Sequence, residues 1–100
     1  NALPDSRIRY TETAAAFMRR VRLRSENTFH ALRGLVIQIS ANPQIDNRTK
    51  VLKDFGSGGA TPVYVDDEWW IVYRVDRITG NEVFSVLSIW DAGSPPHIRL

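Results

Sequence analysis

Glu68-Trp69-Trp70-Ile71-Val72-Tyr73-Arg74-Val75-Asp76, followed after a short break by Glu82-Val83-Phe84-Ser85-Val86-Leu87-Ser88-Ile89-Trp90-Asp91, decides how this chain folds. Both halves are rich in the β-branched and aromatic residues that fit a pleated, half-buried surface. Between them lies Ile78-Thr79-Gly80-Asn81, where Gly80 and Asn81 tolerate the positive φ of a tight hairpin turn. The pattern predicts two long antiparallel strands. Alternation assigns Trp69, Ile71, Tyr73 and Val75 to the face under the rest of the protein, and Trp70, Val72, Arg74 and Asp76 to an open face. A lone hairpin is marginal in water, so other elements must cover its apolar side.

Working back toward the N-terminus, Thr61-Pro62-Val63-Tyr64-Val65 reads as a short strand, with Pro62 placing it at a strand start or sheet edge. Asp66-Asp67 turns it into the hairpin. Gln44 to Lys53 is polar and reads as loop, with room for one helical turn through Arg48–Leu52, and Gly56-Ser57-Gly58-Gly59 as a flexible connector. That connector lacks the spacing of a phosphate-cradling loop, so no nucleotide cofactor is implied. Thr11 stands as N-cap before Glu12, and Ala14, Phe17, Met18 and Val21 mark the apolar face of a first helix. Arg19, Arg20, Arg22 and Arg24 fill its remaining arc. Ser25 caps a second helix whose apolar face is Phe29, Leu32, Leu35, Val36 and Ile39, ended by Asn42-Pro43. Gly34 inside it implies close packing by a neighbouring element. Arg7-Ile8-Arg9-Tyr10 alternates as a strand with one buried face.

The predicted fold is therefore α+β: an N-terminal strand, an antiparallel two-helix hairpin, then a three-stranded antiparallel meander. Together they form a four-stranded antiparallel sheet with the helices on one face. One hundred residues make one domain, 1–100, in which Asn1-Ala2 reads as a tag remnant and residues 95–100 as a tail. There is no cysteine, which excludes disulfides and thiol chemistry and fits a cytoplasmic setting. No run is long and apolar enough to span a membrane. Up to Asn42, seven Arg face three acids, a balance of +4; from Gln44 on, six Lys and Arg face eight acids, a balance of −2. The basic surface is thus assigned to the first half and the acidic one to the second.

The order of these elements, with Ile8-Arg9-Tyr10-Thr11, the proline-terminated Ile39-Ser40-Ala41-Asn42-Pro43, and above all Trp69-Trp70-Ile71-Val72-Tyr73-Arg74-Val75, resembles the RelE/ParE superfamily of bacterial type II toxin–antitoxin toxins. The resemblance implies a small growth-inhibiting toxin, active in stress responses and neutralised by a cognate antitoxin protein. One branch of the family cleaves mRNA on the ribosome, using cationic and acid–base side chains on the open sheet face. The ParE branch poisons DNA gyrase. This chain departs from the ribonuclease branch: Trp70 stands where an arginine is expected, Thr61 and Val63 where lysines are, and Trp90-Asp91-Ala92 where an arginine or tyrosine is. Loss of those cations removes the electrostatic stabilisation that phosphoryl transfer depends on.

The first expectation is accordingly a non-enzymatic, ParE-type toxin that binds a target such as gyrase. Its binding residues for target or antitoxin would be Trp70, Trp90, Arg74, Arg19, Arg20, Arg22 and Arg24. The alternative is an atypical ribosome-dependent endoribonuclease using some of Arg74, Asp91, Lys53, Lys50 and His97. A third is a non-toxic interaction domain with the same fold. A homodimer is compatible with each, and no metal is implied, since neither His30 nor His97 has identifiable ligand partners. The bland readings are a solvated face for the helix-one arginines and an ordinary turn acid for Asp91. His97 reads as an exposed tail histidine and His30 as a structural one.

Overall fold

The computed structural model describes residues 7–55 and 59–93. The chain runs β1 (Ile8–Tyr10), α1 (Glu12–Arg24), α2 (Glu26–Ala41), β2 (Lys50–Asp54), β3 (Ala60–Val65), β4 (Trp69–Ile78) and β5 (Asn81–Asp91). This is an α+β arrangement of two helices on one mixed sheet of five strands, in the order β1-β5-β4-β3-β2.

Two expectations about the sheet are corrected together, and one causes the other. The segment expected to be loop or helical turn contains a strand, β2, paired antiparallel with β3 from Lys50↔Tyr64 to Asp54↔Ala60. What converts this polar segment is the turn before it. The Asp46 carboxylate accepts the backbone N–H groups of Arg48, Thr49 and Lys50 at 2.8–3.0 Å, while Asp46 N–H and Asn47 N–H both donate to the Lys50 carbonyl. With the turn closed locally, Val51 and Leu52 are delivered straight onto β3. Parity then follows. The helical hairpin returns the chain running opposite to β1, and each later strand reverses it again. Three strands would have left the last one antiparallel to β1. Four leave β5 parallel to it, with Ile8↔Phe84, Arg9↔Ser85 and Tyr10↔Val86.

The helices form where the caps predict. Thr11 accepts Ala14 N–H at 3.2 Å, and Ser25, a single residue between the helices, ends α1 and caps α2 by accepting Thr28 N–H at 3.2 Å. Their apolar faces meet the sheet in one core. Ala14, Leu32, Val36, Ile71, Tyr73 and Val86 are all fully buried there, and each of the larger side chains contributes ~2 kcal/mol over its exposed state. Tyr73 also stacks on Phe84 at 5.1 Å and donates its hydroxyl to the Pro43 carbonyl at 2.7 Å, fastening the end of α2 to the sheet. Burial pushes that phenol up to about 12. Gly34 does not pack closely as expected: a Cβ added there would meet nothing within 4 Å.

β5 carries one irregularity that places the candidate site. Val72 pairs with Ser88 but Tyr73 with Val86, so Leu87 is an extra residue, a bulge. Its carbonyls are held by the helix cap: Thr11 N–H donates to Val86 O at 3.0 Å and the Thr11 hydroxyl to Leu87 O at 2.6 Å. The bulge resets the alternation of β5. Phe84 and Val86 face the helices before it and Ile89 after it, so Trp90 is turned to the open side, directly opposite Trp70. At the hairpin tip the positive-φ residues are Thr79 (φ 48°) and Gly80 (φ 82°), not Gly80 and Asn81 as expected; Asn81 already belongs to β5.

Candidate functional site

The open sheet face is built from alternate residues of all five strands. Register sets Val51, Val63 and Val72 side by side across β2, β3 and β4. Val63 is fully buried and Val72 nearly so, although neither belongs to the core beneath the helices. Beside them, Trp70 and Trp90 form a cross-strand pair. The Lys53 ammonium lies 5.4 Å from the Trp70 ring centre, a cation–π contact spanning strands. Trp90, 37% exposed, donates its indole N–H to Ser88 Oγ at 3.0 Å, which fixes the ring's position while leaving its surface available.

Arg74 stands on the same face, its Nε donating to Asp76 Oδ2 at 2.9 Å. One further cation was missed by sequence reasoning. Arg9 pairs with Ser85, and Ser85 with Arg74, so Arg9, Ser85 and Arg74 form one row across β1, β5 and β4. The alternation of β1 already turned Arg9 away from the core. Only the parallel pairing, itself a consequence of the unread strand β2, brings it level with Arg74. The open face thus combines Arg9, Lys53 and Arg74 with Asp76, and its balance is basic. This overturns the expectation of local acidity drawn from the charge of the second half.

The remaining predicted residues lie elsewhere. Asp91 pairs with Trp69, on the helix side of the sheet, and shares a hollow of about 410 Å³ with Phe17, Val21, Arg24 and Trp69. Its carboxylate accepts Gly93 N–H at 3.0 Å. It is therefore separated by the sheet from Lys53 and Arg74. Lys50 pairs with Tyr64, whose ring packs against the core, and so also belongs to the helix side. His97 lies outside the described residues. His30 is exposed, its ring edge-on to Phe29 at 5.4 Å, rather than buried as a structural histidine.

The four arginines of α1 do not form one face. Arg19 and Arg22 turn toward α2: Arg19 pairs with Glu12 at 3.1 Å, and Arg22 lies 5.3 Å over the Phe29 ring with Glu26 at 3.9 Å. Arg24 lines the hollow beside Trp69, and Arg20 lies 5.6 Å over Phe17. Neither pair touches the open sheet face. Among the described residues no three His, Asp or Glu side chains are grouped to hold a metal ion, and no helix is long and apolar enough to cross a membrane.

Compared with known proteins, the chain matches no family model, no curated protein and no solved structure.

Proposed function

We propose that this protein is the toxin-like component of a bacterial type II toxin–antitoxin pair, inhibiting growth by binding a cellular target such as DNA gyrase and neutralised by a partner antitoxin. The observation that carries the reading is the Trp70–Trp90 pair on the open sheet face, flanked by Lys53 and Arg74 over an apolar floor. Rigid, half-exposed indoles beside cations are the side chains that dominate binding hot spots. Binding is favoured over catalysis because the carboxylate expected to serve as acid or base, Asp91, stands across the sheet from the cations, while Asp76 is engaged by Arg74.

One observation favours the ribonuclease alternative: Arg9, Lys53 and Arg74 share an aromatic face on which a single-stranded RNA would stack and be neutralised. Inducing the chain in bacteria separates the readings. Growth arrest with loss of plasmid supercoiling and intact mRNA supports target binding. Arrest with new mRNA ends, abolished by Lys53→Ala or Arg74→Ala, supports cleavage. Trp70→Ala with Trp90→Ala should relieve arrest in either case. Normal growth with a folded, soluble chain would refute toxicity and leave an interaction domain.

A further inference from the structure

A second surface, on the helix side and separate from the open sheet face, is built around Trp69. Two hollows meet over this indole. One, of about 530 Å³, runs beside α2 past Ala31, Gly34 and Gln38 and is walled by Asp66 and Glu68. The other is the hollow floored by Phe17 and Val21 that carries Asp91. They share Thr28 and Trp69, so they form one groove with the indole, edge-on to Phe17 at 5.8 Å, at its middle.

Two features of this groove are unexplained by the fold. Gly34 lies within a helix, where glycine is disfavoured, yet among the described residues nothing comes within 4 Å of the Cβ a side chain would add. The vacant space opens into the groove. And three of the eight acids of the second half lie here rather than on the open face. Asp66, Glu68 and Asp91 line the groove, with Asp67 adjacent to the first two. Asp66 is occupied locally, accepting Tyr64 OH and the N–H groups of Glu68 and Trp69. The Glu68 side chain is exposed and has no hydrogen-bond or ion-pair partner among the described residues. At the far end the opposing charge is Arg24.

We infer that the groove over Trp69 seats a basic protein segment, one that sets a lysine or arginine against Glu68 and a large apolar side chain into the Phe17–Val21–Trp69 hollow, with its backbone passing close to α2 at Gly34. The acidic wall selects the charge of the occupant, the aromatic floor its apolar neighbour, and the missing side chain its distance of approach.

The test uses the whole chain with Trp70→Phe and Trp90→Phe, so that Trp69, one of three tryptophans, is the only indole left. It is titrated with a short synthetic peptide alternating lysine and leucine, and with its glutamate–leucine counterpart. The expected result is a saturable change in Trp69 fluorescence with the lysine peptide alone. Glu68→Lys and Gly34→Leu should each weaken that binding by at least roughly tenfold. Gly34→Ala supplies a readout that a structural role would not give: it should raise the melting temperature while weakening the peptide. Equal binding of both peptides, no binding of either, or binding indifferent to Gly34→Leu and Glu68→Lys would overturn the inference. So would concentration-dependent self-association that Gly34→Leu abolishes, which would make the occupant a second copy of the chain.

Discussion

The two faces of β4 and β5 share one backbone and differ in almost everything else. On the helix side, Ile71, Tyr73 and Val86 are sealed beneath α1 and α2. On the other side, Trp70 and Trp90 are just as large and apolar, yet Trp70 is only half-buried and Trp90 exposed. The first face is a core, where the side chains' energy is already spent on folding. The second retains apolar area and cations for something else. Alternation alone separates them in β4; in β5 the alternation is reset at one extra residue, Leu87, pinned by the hydroxyl and amide of Thr11.

Inserting one alanine between Ser88 and Ile89 attacks that separation directly. It would turn Trp90 toward the helices and Ile89 to solvent, since a one-residue slip exchanges the faces of a strand. We expect a loss of ~4 kcal/mol or more, a large part of what a small domain possesses, read as loss of the cooperative urea transition. Next in size, Ile71→Ala should cost ~3–4 kcal/mol through the cavity it leaves, while its neighbour Trp70→Ala should cost only ~1–2 kcal/mol. Equal urea midpoints for these two variants would show that the faces are not distinct. Thr11→Ala removes a helix cap and the bulge's anchor together, and should cost ~2 kcal/mol.

A smaller gain is expected at the hairpin tip. Thr79 is a β-branched residue at φ 48°, in the left-handed region it disfavours. Thr79→Asn should raise stability by ~1 kcal/mol, measured by thermal unfolding. The smallest effect concerns the edge strand and is confined to acid. Hydrogen bonds from Lys50 N–H first, then from Arg48 and Thr49, hold the Asp46 carboxyl down to about 2 from its ordinary 3.8. A depressed carboxyl contributes stability above the unfolded value and loses it as pH falls through the folded one. The difference between the wild type and Asp46→Ala should therefore be constant above about pH 4 and vanish toward pH 2. A difference that grows with acidification would contradict the role assigned to this turn.

Most of the architecture was legible where local physics acts alone. Thr11 and Ser25 announce helix starts because their oxygens satisfy N–H groups three residues on, and Pro43 announces a stop. Alternation in β4 sorted Trp69, Ile71 and Tyr73 from Trp70 and Arg74 because that strand has no irregularity. β2 was missed because its strand character comes from pairing with β3 and from the Asp46 turn, not from its own composition. The basic open face was missed for a related reason. Charge summed along the chain ignores that Asp66, Glu68 and Asp91 end up on the groove side, while Arg9 arrives from the other terminus.

By itself, then, the amino-acid order determined two capped helices, a long hairpin and the outward direction of Trp70 and Arg74. These depend on periodicity and on hydrogen bonds that close within a few residues. Tertiary structure alone decided the fifth strand, the parallel seat of β1 and the pairing of Trp90 with Trp70. It also decided the gathering of acids around Trp69. Each of these requires partners distant in the chain, and no local pattern encodes which distant partner arrives.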